Sequence, residues 1–314
     1  MLDIVIMTFI LTFVFYHLKK YALIGLARTP LRRIPAPVVQ ILVYVGVIAL
    51  LTLFIIGNAS IIMKQIGDIS TSFSGFNIEK FLAGIDPNLI SFVSRIDFDG
   101  YIQQAGQAIL GGLANLGGIV LNVFIAFILS FLFVLEKDKI VTIARTLRNS
   151  RIEPVYRYFA IFFKKFCNTF GKVMKVQVLI AACNSAIFAV YMIITGFPYI
   201  IVLSMMIFLF SLIPVMGAIL SAIPLLIIAL STGGLMKAAQ VLIMIVVIQA
   251  VEAYTLEPKL MSRSTSLPVS LVFVILIISQ HYLGAWGMLI GIPFFIFVMD
   301  ALNIDYGLAM KPKK

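Results

Sequence analysis

Charge is what this chain has least of. Only 12% of its 314 residues are Asp, Glu, Lys or Arg, and 62% are hydrophobic. A soluble domain carries about 25% charged and about 45–50% apolar residues, so a water-facing globule is excluded. Long apolar runs point to an integral membrane protein with several spans. They also favour helices over a barrel, whose alternating strands leave only a weak hydropathy signal. Acid is scarcer than base, with 13 Asp and Glu against 24 Lys and Arg and a net charge of +11. That excess does not call for nucleic acid. The bases sit in short loops between apolar runs, as in the cytoplasmic loops of membrane proteins.

Reactive side chains are equally sparse. Cys167 and Cys183 alone allow no disulfide framework and no zinc spacing. His17 and His281 are far apart in the chain. No Walker loop, G-x-S-x-G elbow or H-E-x-x-H helix occurs. Neither enzymatic activity, ATP hydrolysis nor a resident cofactor is therefore expected; Na+ or H+ enters only as a transported or coupling ion. The start MLDIVIMTF has no basic region before its apolar run and no small-residue cleavage site, so no cleavable signal peptide is expected.

Along the chain, residues 1–63 hold two N-terminal spans, at 3–18 and 37–63. The loop between them carries Lys19, Lys20, Arg28, Arg32 and Arg33 with no acid, and reads as cytoplasmic. Residues 64–116 hold three bases and five acids, which suits a helical region on the outer side. A third span covers 117–135. Residues 136–175 hold ten Lys and Arg against three acids, the strongest positive-inside signal in the chain. Their interleaved aromatics suggest amphipathic helices on the cytoplasmic face, or else an ordinary solvated linker. Residues 176–302 form a nearly uncharged core with spans at 176–195 and 235–251, and 303–314 form a cytoplasmic tail.

Two apolar runs in that core, 199–231 and 268–299, are too long. As one helix, 199–231 would reach about 50 Å, against a hydrocarbon core of about 30 Å. Each run also contains helix breakers: Pro214, Gly217 and Pro224 in the first, Gly284, Gly287, Gly291 and Pro293 in the second. Folding each back as a hairpin keeps Lys259, Arg263 and the KPKK tail all on the inside. The runs also repeat one another. Thr195, Pro198 and Gly217 match Thr265, Pro268 and Gly287 at an offset of 70, and Ile223-Pro224 matches Ile292-Pro293 after one deletion. If the two units open on opposite sides, they form an inverted repeat, an arrangement common in secondary transporters. The expected fold class is an all-α polytopic bundle with two re-entrant, broken-helix hairpins in an inverted repeat.

The segments SLIPVMGAILSAIP, VEAYTLEPKLMSRSTSLPVS and GAWGMLIGIPFFIF resemble the C-terminal half of the autoinducer-2 exporter family, the PerM-like permeases. Ile213, Pro214, Gly217 and Pro224 match its I-P-x-x-G segment. Glu257, Pro258 and Lys259 match its P-K loop, with Ser262 where many relatives have glycine. Gly284, Gly287 and Pro293 match its final G-x-x-G segment. On this likeness the chain reads one span short at its N-terminus. The resemblance implies a multi-pass plasma-membrane transporter that assembles as a homo-oligomer with its C-terminus in the cytoplasm. It leaves the cargo open between a small polar solute such as autoinducer-2 and a monovalent cation.

Breaking a helix in lipid exposes backbone groups at several kcal/mol each. Ser211, Pro214 and Gly217 in the first run, and Gln280, His281, Gly284 and Gly287 in the second, are therefore the candidate pathway residues. Glu252 is a candidate coupling acid, or an interfacial charge paired with Lys259 or Arg263. Glu257 and Asp300 are weaker candidates, a loop charge and a helix-end charge. Asn184 and Gln249 are polar groups expected to bond a neighbouring helix. Three functions follow: a secondary transporter of a small polar solute, a Na+(Li+)/H+ antiporter, and a membrane scaffold that transports nothing.

Overall fold

The computed structural model describes residues 2–26, 35–74, 100, 104, 116–147, 153–256 and 267–302. The elements among them are all helical: α1 (Leu2–Leu26), α2 (Ala36–Ser74), α3 (Leu116–Leu135), α4 (Lys137–Leu147), α5 (Glu153–Ile194), α6 (Ile200–Phe210), α7 (Met216–Val251) with a π-helical end (Glu252–Leu256), and α8 (Val269–Ala301). Among the described residues, five stretches are long and apolar enough to cross a membrane: Ile4–Leu26, Ala36–Phe73, Glu153–Ile194, Met216–Thr255 and Ser270–Ala301. The chain is an all-α polytopic membrane protein.

Several helices outrun the apolar segments that announce them. Helix α1 continues past residue 18 through Lys19 and Lys20, because a lysine stem is a good helix former and its head finds its own partner. The Lys19 Nζ donates to Gln40 Oε1 at 2.9 Å. Helix α2 runs on past residue 63 to bury Ile69 and Phe73. Helix α5 passes through the 175/176 boundary as one 42-residue helix, joining the basic stretch to the span. Hydropathy falls at a charge, but a helix ends only at a breaker or a cap. The expected outer region survives here only as the end of α2; most of 75–115, the Glu257 loop and the tail lie outside the described residues.

The chain forms two compact units. One contains residues 1–58, 117–175 and 273–314; the other contains 59–116 and 176–272. In the first, Phe15 stacks on Tyr44 with centroids 3.9 Å apart, and Tyr44 Oη and Ser130 Oγ share a buried hydrogen bond of 2.9 Å. Phe162 and Phe166 meet Phe297 edge-on and bind α8 to α5. The second unit packs the end of α2, the latter half of α5, α6 and α7 around Met192, Leu203, Ile207, Ile228 and Val241.

Both overlong runs are interrupted. The first breaks over 211–215, between α6 and α7. Lys237 Nζ lies 5.1 Å from the ring of Phe197, just before α6, so α7 returns alongside α6 to the end where that helix begins. Helix α7 then turns at Gly234 (φ 64°, ψ −159°). The second run breaks at Gly284 (φ 61°, ψ −145°). A Cβ on Gly291 would touch Ser279 and Ile275. In a straight helix residues 275 and 291 would be about 24 Å apart, so the two halves of α8 fold back on each other. Both glycines hold a backbone shape that is essentially closed to other residues.

Candidate functional site

Pro214 supplies no N–H to close the helix onto Phe210, and the Phe210 carbonyl accepts instead from the Ile213 N–H at 2.9 Å. Val215 follows with φ 63° and ψ −53°, a strained conformation for a β-branched residue. Tyr199, at the other end of α6, is left-handed too (φ 60°, ψ 34°). Gly217 then begins the next helix so close beneath the last that a Cβ would strike the Phe210 carbonyl and the Ser211 Cα. The second break repeats this plan. Gly284 stands 70 positions after Pro214, and Gly287 lies against the Ser279 carbonyl as Gly217 lies against Phe210.

Helix α6 spans only 11 residues, and its backbone also bonds side chains of neighbouring helices. Gln65 Oε1 of α2 accepts from the Val202 N–H at 3.1 Å. Ser185 Oγ of α5 donates to the Ser204 carbonyl at 2.8 Å. Gln177 Nε2, also of α5, donates to the Ser211 carbonyl at 2.6 Å. Gln177 and Ser211 are both buried. This is the satisfaction that a helix break inside a membrane requires.

Gln177 begins a polar stripe. Gln177, Asn184 and Tyr191 lie seven residues apart, two helical turns each, so they share one face of α5. The middle member donates from Asn184 Nδ2 to Glu252 Oε2 at 2.7 Å. Glu252 opens the π-helical turn that ends α7, a geometry frequent at functional sites. Among the described residues of this unit, three buried polar atoms have no partner: Asn184 Oδ1, Tyr191 Oη and Ser204 Oγ. Asn184 itself is 3% exposed. An unmet acceptor beside a carboxylate is suited to a cation or to a donor group of a polar solute. The open space beside Tyr191, of about 390 Å³, is walled by Ile187, Val190, Ile194 and Met244 and does not match a polar cargo.

The structure gathers Ser211, Pro214, Gly217 and Glu252 in one unit, around Gln177 and Asn184. Gln280, His281, Gly284, Gly287 and Asp300 lie in the other. Gln280 and His281 are exposed, and His281 packs its ring edge-on against Tyr282. Asp300 lies in the last turn of α8 with its carboxylate 3.8 Å from Lys165 Nζ, which also donates to the Asp300 carbonyl. Glu257 lies outside the described residues. Gln177, Ser185 and Ser204 were not singled out from sequence; the seven-residue spacing of Gln177, Asn184 and Tyr191 is the signal that marks α5.

An all-helical chain with several membrane-crossing helices, two of them broken and one break lined by buried polar groups, has the makeup of a membrane transport protein. The sequence profile of the AI-2E family of transporters matches residues 1–304. The chain belongs to that family. It is 33% identical to YdbI of Bacillus subtilis (strain 168), whose name describes a candidate transport protein, over 97% of this chain and 86% of the relative. Candidate transport proteins of Thermotoga maritima and Haemophilus influenzae are each 24% identical, over 78% and 77% of this chain and 72% and 67% of their own.

Proposed function

We propose that this protein is a secondary transporter of a small polar solute resembling autoinducer-2, working without ATP by alternating access around its two folded-back helices. The single observation behind this reading is the unmet polarity beside α6. Asn184 Oδ1 and Ser204 Oγ are buried without partners, each two helical turns, about 10 Å, along its helix from the break that Gln177 bonds. A hydroxylated solute would complete those bonds. On this reading the breaks at 211–215 and 284 are the tips of re-entrant hairpins, the protein is a plasma-membrane homo-oligomer, and its C-terminus is cytoplasmic.

Purified protein in proteoliposomes tests the proposal. Labelled furanone should enter, and Asn184→Leu should abolish entry while leaving folded yield intact. Uptake unchanged by Asn184→Leu would remove the site. For topology, Gly233→Cys in a background without Cys167 and Cys183 should label only from outside; labelling only from inside would overturn the hairpin arrangement.

A second reading rests on Glu252. A carboxylate beside a free amide oxygen is also a monovalent-cation site, which would make the protein a Na+(Li+)/H+ antiporter. Sodium-dependent loss of a proton gradient, absent in Glu252→Gln, would support it over the solute. Vesicles showing neither flux would leave the scaffold.

A further inference from the structure

The first unit holds a cavity of about 690 Å³ lined by residues of α1, α3, α4 and α5, none of them a residue of the polar site. The volume falls in the range of about 300–1,000 Å³ that suits a small-molecule ligand. Its walls are apolar side chains such as Phe13, Phe133 and Val141, with the half-buried Cys167 among them. Thr8 and Thr12 also line it, but their hydroxyls are committed to backbone carbonyls at 2.6 Å each. Polarity is confined to Tyr16 and Lys137. The Lys137 Nζ sits 4.5 Å over the Tyr16 ring and 3.4 Å from its hydroxyl.

Lys137 has no carboxylate partner among the described residues, whereas its neighbour Lys139 is paired with Glu136 at 3.1 Å. The cavity is thus an apolar space beside a cation with no carboxylate partner among the described residues. Helix α4 lines it with Ile140 and Val141 and turns Lys139 and Arg145 to solvent, as an amphipathic helix in a membrane interface does. The segment 136–175 around it carries ten bases and three acids, which by the positive-inside rule places it at the inner leaflet, where anionic lipids concentrate.

We propose that this cavity is a binding site for an anionic phospholipid, with one acyl chain between α1 and α4 and the headgroup phosphate on Lys137 and the Tyr16 hydroxyl. Its lining shares no residue with the candidate pathway. Charge complementarity selects this occupant: a zwitterionic lipid would fill the same apolar space but gain little from an unpaired lysine.

The test uses full-length protein carrying Cys183→Ser, so that maleimide reports Cys167 alone. Delipidated protein in detergent is mixed with phosphatidylglycerol, phosphatidylcholine or a free fatty acid. Phosphatidylglycerol should protect Cys167 at roughly fivefold lower concentration than phosphatidylcholine, the worth of one basic side chain near an anionic surface. Lys137→Glu should erase that preference, and Val141→Trp, which fills the cavity, should erase protection by every lipid. Equal protection by both phospholipids, or by fatty acid as well as by phosphatidylglycerol, would overturn the assignment. Protection that grows with protein concentration in lipid-free detergent would instead point to a second copy of the chain and also overturn it. Should both variants fail to fold, the comparison of lipids on the Lys137 protein alone decides.

Discussion

Gln177→Leu should destabilise the protein far more than a polar-to-apolar change inside a membrane span ordinarily does. Interhelical side-chain bonds in membrane proteins average only about 0.6 kcal/mol, because the separated helices find other partners. The acceptor here is different. In an unbroken helix the Ser211 carbonyl would accept from the Val215 N–H, but Val215 is turned to φ 63° and Gln177 supplies the donor at 2.6 Å. Both residues are buried. Removing the donor leaves a buried backbone carbonyl unmet, at about 1–3 kcal/mol. Gln249→Leu is the control, a half-buried amide in α7 expected to change stability by about 0.5 kcal/mol or less. Equilibrium unfolding in mixed micelles should separate the two by roughly tenfold in the folding constant at the middle of that range. Equal effects of the two substitutions would refute the claim that Gln177 holds the break open.

Gly284→Ala should cost about 1–3 kcal/mol, because φ 61° with ψ −145° is strained for any side chain. Gly57→Ala, with open space around it in the middle of α2, should add roughly 0.5–1 kcal/mol in the same thermal melt. Val215→Gly should relieve left-handed strain and raise the melting temperature while slowing transport, if the strained turn is the moving part; a slower transporter without the stability gain would contradict this. Asp300→Asn should shift stability by less than about 1 kcal/mol, with the difference fading at high salt, because the Lys165 pair is 3.8 Å apart and still partly open to solvent.

How much of this was legible in sequence depends on what each residue does to the backbone. Pro214 and Gly284 announce their breaks because each changes which backbone shapes are open, and their offset of 70 survives in the structure. Gly217 and Gly287 were grouped with the breaks, yet both lie just beyond them as contact points, and a missing Cβ does not say which backbone will approach. Gly234 separated two expected segments without being recognised as a turn of the same kind as Gly284. Asn184 was expected to bond another helix and does so, but its partner Glu252 comes from 68 residues away. Such pairings are set by how helices stack, which a linear pattern does not encode. The ends of α1 and α2 were missed because hydropathy ends at a charge and helices do not.

The three bonds that hold α6 have an asymmetry. On the side of α5 and α2 they depend on particular residues, Gln177, Ser185 and Gln65. On the side of α6 they land on main chain: the Val202 amide and the Ser204 and Ser211 carbonyls. Substituting a side chain of α6 therefore removes none of them. The short helix can change its side chains while its moorings stay fixed. The same change on α5 would cast it loose.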